Sequence, residues 1–378
     1  MRVAVIADFL ERYNFNQRVL HGVAPYARMH GWELVQFQVR EQAGLREAFA
    51  GADAILHGVH AYEHDPIFKK TRLPMAGWSA SLPVAKWPRA VTDDVAVGRL
   101  VAEHLLARGF KHFAFYGDIG GQWVANRKEG FVARAGEAGH SVHLSVTEHP
   151  GLPAAQISDW LGALPTPLGL MTAHHPSCTA ILTACRALGR GIPRDVAIVT
   201  VNNDDLFCEI SDPPLSSISL QTDQIGYEAA TSLSQLIEGK SDVPLIRLVP
   251  PGELVIRQSS DALAFSDPDV VSAMKFIQRQ FSSGVATKQV VAQSGLSRGT
   301  LDAKFQSLLG RSIAAEIRRM GIEKAKQLLS TTELPMPAVA QHSGYSCARQ
   351  FSESFRHYTG QTPTGYRRQF RVGATPRK

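Results

Sequence analysis

Over residues 1–257 the hydrophobic positions switch repeatedly between two periods. Short apolar runs suited to buried strands fall at 2–8, 32–39, 53–59, 74–78, 112–117, 141–146, 168–172 and 196–202. Helical spacing recurs between them, first through Val19, Leu20, Val23, Ala24 and Ala27, then at 94–108, 123–138, 153–163, 176–188 and 222–238. Strands alternating with helices predict parallel sheets in an α/β fold. The units are too many for one small sheet, and a fresh series starts after a break near 109–111. Two lobes are therefore expected, with a ligand cleft between them beyond the carboxyl ends of the strands.

The pattern changes at the polar stretch 258–267, read as a linker, after which Pro268 is expected to open a helix. Residues 286–309 and 336–360 read as two copies of one device, a short helix, a glycine turn and a longer helix, the outline of a helix-turn-helix. Gly295 and Gly344 suit left-handed caps and Ser297 an N-cap. Leu301, Phe305 and Leu308 form the packing stripe of the first long helix, and Phe351, Phe355 and Tyr358 that of the second. Between the copies, 313–330 predicts a single helix packing through Ile313, Ile317, Met320, Lys324 and Leu328. At 1.5 Å per residue such a rod spans roughly 27 Å. With the packing beyond its ends, it could hold two helices about one turn of DNA apart, roughly 34 Å.

Charge separates the same two regions. Residues 269–378 hold 17 lysines and arginines against 6 acids, net +11, whereas residues 1–268 hold 23 against 28, net −5. A basic module on a mildly acidic partner points to a polyanion. Lys288, Lys304, Arg311, Arg318, Arg319, Arg356, Arg367 and Arg368 are the candidate phosphate contacts. Ser297, Arg298, Thr300, Ser346, Arg349 and Gln350 lie early in the long helices, where recognition helices meet base edges. Arg349 lies roughly 200° around its helix from Phe351 and could bond guanine in plane.

The run Gly344, Tyr345, Phe351, Phe355, Arg356, Gly360, Thr362, Pro363, Tyr366 and Arg367 resembles the signature of the DNA-binding domain of AraC/XylS-type transcription regulators. Leu296, Ser297, Leu301, Phe305 and Gly310 are similar to the other half of that domain, so the likeness covers about residues 268–370. The earlier region resembles the effector-binding part of LacI/GalR-type regulators and periplasmic sugar-binding proteins. The carrying residues are Val91 to Asp93, Gly98, His104, Leu105, Gly109, Phe113 to Phe115, Arg127 to Phe131, Ile192, Pro193, Val199 to Asn203 and Leu215 to Ile218. Together these resemblances imply a sequence-specific transcription regulator controlled by a small sugar, xylose or a relative of it. The architecture expected is a two-lobed periplasmic-binding-protein-like sensor (1–257), a linker (258–267), an all-α domain with two helix-turn-helix motifs (268–370) and a basic tail (371–378).

The resemblance makes Arg127 the grip on sugar hydroxyls. Trp123 and Phe15 are candidate stacking plates, and Asp8 and Asn202 candidate hydroxyl partners at strand ends. Two departures bear on the ligand: Asn202 and the pair His174 and His175 stand where the family commonly has aspartates. The implied partners are double-stranded DNA, a sugar effector, a second copy of the chain and, for an activator, RNA polymerase; no cofactor, metal or membrane is expected. His57, His60 and His64 have ligand spacing only if helical, and Gly117 to Gly121 lacks the spacing of a dinucleotide or phosphate loop. The first ten residues are too acidic and too short in apolar run for a signal peptide, and four cysteines without CxxC spacing read as reduced thiols, so a cytoplasmic, nucleoid-associated protein is expected. A sugar-binding protein or a sugar-modifying α/β enzyme would account for the first region alone. Both leave the basic segment without a role, and no nucleophile and base form a recognisable set.

Overall fold

The computed structural model describes residues 1–8, 14–38, 42–58, 68, 70–80, 87–118, 121–147, 154–281 and 284–370. It divides into two compact units, Met1–Glu103 with His112–Asp261, and His104–Lys111 with the chain from Ala262 onward.

The strands of the first unit are β1 (Arg2–Ala7), β2 (Glu33–Gln38), β3 (Ala54–His57), β4 (Met75–Gly77), β5 (Arg89–Thr92), β6 (His112–Asp118), β7 (Val142–Thr147), β8 (Leu168–Thr172), β9 (Val196–Val201), β10 (Ser216–Leu220), β11 (Ile246–Val249) and β12 (Pro251–Val255). Its helices are α1 (Phe15–Met29), α2 (Gln42–Ala50), α3 (Asp94–Leu106), α4 (Gln122–Glu137), α5 (Ala154–Gly162), α6 (His175–Ala187), α7 (Asp205–Ile210) and α8 (Thr222–Ile237). Two sheets form, in the orders β11-β5-β4-β3-β1-β2 and β12-β10-β9-β8-β6-β7. All neighbours are parallel except β12, which runs antiparallel to β10 at the edge of the second sheet. The central strands are buried on both faces, as helices on either side of a parallel sheet require.

The chain passes between the lobes at three places rather than at the one break near 109–111. It leaves the first sheet after β5, returns after β10 to add α8 and β11, and crosses again at Pro250 to add β12. The crossings are tied together, Asp93 N–H donating to Val249 O at 2.7 Å and Gln221 Nε2 to Pro250 O at 3.0 Å. Helix α3 thus already belongs to the second lobe. It crosses α4 at two glycines, where a Cβ at Gly98 would sit 2.0 Å from Arg127 O and one at Gly130 2.0 Å from Val95 O. Arg99 with Glu137 and Arg134 with Glu103 pair beside that crossing.

The stretch 258–267 is not a plain tether. Residues 258–260 make a 3₁₀ turn in which Ser259 and Ser260 are wholly buried, Ser259 Oγ donating to Ile198 O at 2.7 Å. Within the second unit, Ala264 N–H donates to Arg108 O at 2.7 Å, and Phe265 lies against Gly109, where φ is +84° and a Cβ would meet the Phe265 ring at 2.3 Å.

The second unit continues with α9 (Pro268–Gln280), α10 (Thr287–Ser294), α11 (Arg298–Leu309), α12 (Ile313–Thr331), α13 (Met336–His342), α14 (Ala348–Thr359) and α15 (Pro363–Phe370). Each helix-turn-helix has its own core. Val270, Ala273, Met274, Ile277, Val290, Leu301, Phe305 and Ile313 fill the first; Ile322, Ala325, Leu329, Val339, Ala340, Phe351 and Phe355 fill the second. Helix α12 serves both, turning Ile313, Ile317 and Met320 to one and Ile322, Ala325 and Leu329 to the other, so its packing is two faces and not the single stripe expected. Gly321 stands at the change, where a Cβ would meet Ser343 O at 2.8 Å. The stripe on α14 also ends sooner than expected. Tyr358 is 47% exposed, because Tyr366 of α15 packs edge-on against Phe355, at 5.4 Å between ring centres, and fills that place.

The glycine crossing yields a direct test. Gly98→Ala forces a methyl against a helix backbone that cannot yield separately, and overpacking of this kind costs about 1–3 kcal/mol. Urea unfolding of the full chain should show the loss in its first transition, whereas Gly136→Ala on α4, where nothing lies within 4 Å, should be neutral or stabilising.

Candidate functional sites

The carboxyl ends of the strands gather side chains from both lobes. On the first lobe, Asn16 opens α1 and donates from Nδ2 to Asp8 O at 2.9 Å, while its Oδ1 accepts from Trp78 Nε1 at 2.7 Å. Gly58 lets Trp78 lie there, since a Cβ would meet the indole nitrogen at 2.3 Å. Phe15, the first residue of α1, is half-buried against the lobe's core, and Asp8 is exposed at the end of β1.

On the second lobe, Arg127 is 5% exposed and its Nε donates to Asp94 Oδ1 at 2.7 Å and its Nη1 to Ala173 O at 2.6 Å. Asp94 belongs to α3, the helix that crosses α4. The Arg127 guanidinium carbon lies over the ring of Trp123, one turn earlier on α4, at 4.6 Å from its centroid, and the His174 ring stands T-shaped to the indole at 5.5 Å. Ser177 Oγ holds His174 Nδ1 at 2.8 Å. Burial pushes the Asp94 carboxyl up, and the Arg127 charge opposes it. Burial likewise lowers His175, whose ring packs on Phe207 at 4.7 Å, so it contributes as a neutral group.

Asn202 follows β9 with a φ of +94° and Asn203 with +40°, an uncommon conformation that asparagine tolerates. Asn202 is 5% exposed, and its carbonyl accepts from Arg18 Nη1 at 2.9 Å across the lobes. Asn16, Arg18, Trp78 and Asp94 are site neighbours that the sequence reading passed over. A strand-end rule flags Trp78, which directly follows β4, whereas Asp94 becomes visible only once α3 and α4 are known to cross.

Gly117 and Asp118 end β6 and Gly121 precedes α4 in the same lobe, so this glycine-rich stretch, which its composition lets read as a crossover between lobes, is not one; Ile119 and Gly120 fall outside the described residues. His57 packs edge-on to Phe68 and Trp87, while His60 and His64 also fall outside. Cys178, Cys185 and Cys208 are buried thiols, and Cys347 is exposed at the start of α14.

In the helical unit, Gly295 and Gly344 have φ of +69° and +79°, and each turn sets the following long helix. Ser297 caps α11 by accepting from Thr300 N–H at 3.2 Å, and Arg298 projects 72% exposed beside Asp302. On α14, Arg349 is 89% exposed and bonds Glu353 at 3.0 Å; Ser346, Gln350 and Arg356 are exposed on the same helix or just before it. Several of the eight candidate phosphate cations have partners within the protein. Lys304 sits between Asp267 and Asp269 at 2.7 and 2.6 Å, Arg311 and Arg319 clamp the wholly buried Glu316, and Arg367 donates to Leu334 O at 2.6 Å. Lys288, Arg318, Arg356 and Arg368 are exposed.

Comparison with known proteins matches both parts. A periplasmic binding protein-like domain matches residues 102–260 and a helix-turn-helix domain residues 290–369. The xylose operon regulatory protein of Escherichia coli K12 is 28% identical over 369 residues, covering 93% of this chain and 94% of the relative. The Haemophilus influenzae protein of that name is 28% identical over 74% of this chain and 75% of its own length. Among solved structures, a xylose-binding transcription activator aligns over 97% of this chain and 98% of its own with TM-score 0.58 and 26% identity. A ribose-bound LacI family regulator from Enterococcus faecium shares the fold of the first part, at 20% identity and TM-score 0.58 over 70% of this chain.

The division of the cations generates a prediction. Arg349→Ala should weaken binding to a selected duplex far more than to random duplex, by the roughly 1–3 kcal/mol of an arginine–guanine pair, whereas Arg356→Ala should weaken both alike and flatten the salt slope by about one. Lys304→Met should leave that slope unchanged, because its charge is spent on Asp267 and Asp269. Filter-binding titrations over a salt series measure all three. With both matches in this order, the chain joins a periplasmic-binding-protein-like sensor to an AraC-type helix-turn-helix domain and resembles the xylose operon regulatory proteins over nearly its whole length.

Proposed function

We propose that this regulator binds an uncharged sugar of the xylose type between the lobes of residues 1–257 and that occupancy changes how residues 268–370 engage an operator. One observation carries the reading: the alignment with a xylose-binding transcription activator runs through both the sensor and the helical domain, over 97% of the chain. In the cleft, Asp94 and Ala173 hold two edges of the Arg127 guanidinium, leaving its Nη2 edge for a ligand hydroxyl. Asp8 and Asn202 supply further hydroxyl partners, and Trp123 and Phe15 the apolar plates. On the DNA, Ser297, Arg298, Thr300, Ser346, Arg349 and Gln350 face base edges, with Arg356 and the other exposed cations on phosphates. The chain acts without catalysis, in the cytoplasm on the nucleoid, as a homodimer and, if an activator, with RNA polymerase. Among the described residues no helix is long and apolar enough to cross a membrane.

Calorimetry of the full chain against xylose, ribose, arabinose and glucose tests the effector. One pentose should bind at micromolar to millimolar concentration and shift the affinity for a duplex selected from random sequence; silence of all four would overturn the sugar reading. Arg127→Lys should lower sugar affinity at least about tenfold, since a lysine cannot serve Asp94, Ala173 and a hydroxyl in one plane, and should leave sugar-free DNA affinity within about twofold.

A further inference from the structure

Arg257 stands between β12 and the buried turn 258–260, at the point where the chain leaves the second sheet for the helical part. Its main chain is fixed by Ser216, whose Oγ accepts from Arg257 N–H at 2.8 Å and donates to Arg257 O at 2.9 Å. Its side chain is only 10% exposed and reaches back toward the cleft end of β9. There Nη1 donates to Asn203 Oδ1 at 2.8 Å and to Leu215 O at 3.0 Å, and Nε donates to Glu209. Asn203 is the second of the two left-handed residues, its N–H donating to Ser217 Oγ at 2.9 Å and its Nδ2 to Asp205 Oδ1 at 3.1 Å. The first of the two, Asn202, is bonded through its carbonyl by Arg18 of the opposite lobe. One chain of bonds therefore runs from the first lobe through Arg18, Asn202, Asn203 and Arg257 to the exit segment. Ser259 and Ser260 extend it, since Ser259 Oγ accepts from Ser216 N–H at 2.9 Å and Ser260 Oγ donates to Ser216 Oγ at 2.7 Å.

A residue whose only duty is to brace β12 has no need of a planar fork aimed at a strained pair in the effector cleft. The Asn202–Asn203 backbone lies in a sparsely populated region and is kept there by its bonds, which makes it an element with alternative conformations to adopt. Closing the lobes on a ligand changes the position of Arg18 relative to Asn202, and Arg257 converts any resulting movement of Asn203 into a movement of the exit. Building on the proposed sugar response, we infer that Arg257 is the positioning residue that couples effector occupancy to the segment leading into the DNA-binding domain. It touches neither ligand nor DNA.

The test measures coupling separately from either affinity. For the full chain, the dissociation constant for a selected duplex is determined with and without saturating pentose, the sugar being the one that binds wild type in calorimetry. Arg257→Lys keeps the charge but cannot serve Asn203, Leu215 and Glu209 together. Asn203→Gly cuts the same link from its other end, and glycine accepts a φ of +40° without strain. Both variants should bind the pentose within about threefold of wild type and bind DNA without sugar within about twofold, while the sugar-dependent ratio falls toward one. Glu209→Ala, which removes one solvent-side partner of Arg257, leaves the other at Asp205 and spares Asn203, should keep the wild-type ratio. Full coupling in either Arg257→Lys or Asn203→Gly, or an equal loss in Glu209→Ala, would overturn the inference. If Arg257→Lys does not fold, Asn203→Gly decides alone. A wild-type chain that binds pentose without any change in DNA affinity would instead overturn the functional reading on which the inference rests.

Discussion

The ion pair between Arg127 and Asp94 is the constraint around which the effector side is built. Both groups are nearly sealed from solvent, and desolvation offsets most of the attraction between two buried charges. Such a pair adds little net stability, yet removing one partner strands the other at a cost of about 3–5 kcal/mol. Its value is positional. It sets the plane of the guanidinium, on which Trp123 then lies and against which Ala173 supplies a second acceptor. The pair exists only because α3 and α4 approach to backbone distance at Gly98 and Gly130, so two residues without side chains determine where the most polar group of the cleft points.

The helical unit spends charge in the same way. Its net of +11 suggests a broadly basic surface, but Glu316 is wholly buried and holds Arg311 and Arg319, and Lys304 ties the start of α9 to α11. Cations engaged with carboxylates in this way stiffen the helical packing, while others, such as Lys288 and Arg356, remain exposed. Gly321 has the complementary role on α12, admitting the Ser343 carbonyl where the helix turns from one core to the other.

Much of this was legible in the sequence because period and punctuation are local. The strand and helix alternation, the left-handed Gly295 and Gly344, the cap at Ser297 and the buried pairs Leu301 with Phe305 and Phe351 with Phe355 all follow from spacing within a few residues. What escaped was set by distant partners. Strands β5, β10, β11 and β12 were passed over because each is only four or five residues long and interrupted by polar residues or glycine, too short to show a period; Leu248 on β11 is 61% exposed and still apolar. Tyr358 fits the stripe of its own helix, and only Tyr366, on another helix, displaces it. The count of eight phosphate cations failed to anticipate Asp267, Asp269, Glu316 and Leu334 as partners, since composition records charge and not the distance to its neighbour.

The polar set of the cleft also bears on the class of ligand. Among the described residues, Asp94 offsets Arg127, Arg18 is engaged by the Asn202 carbonyl, and Asp8 stands at the end of β1. Where the resemblance led to aspartates the chain has the amide of Asn202 and the pair His174 and His175, and His174 is held by Ser177 with its ring T-shaped to Trp123. A phosphorylated sugar would bring about two negative charges to a place where the buried Arg127 guanidinium is already paired with Asp94, and uncompensated buried charge is far costlier than a hydroxyl that finds a partner. Neutral hydroxyls meet donors and acceptors here without that cost. The exchange of carboxylate for amide weakens each bond to a hydroxyl but also lowers the desolvation needed to bind, so it changes which hydroxyl pattern is preferred more than whether a sugar binds at all.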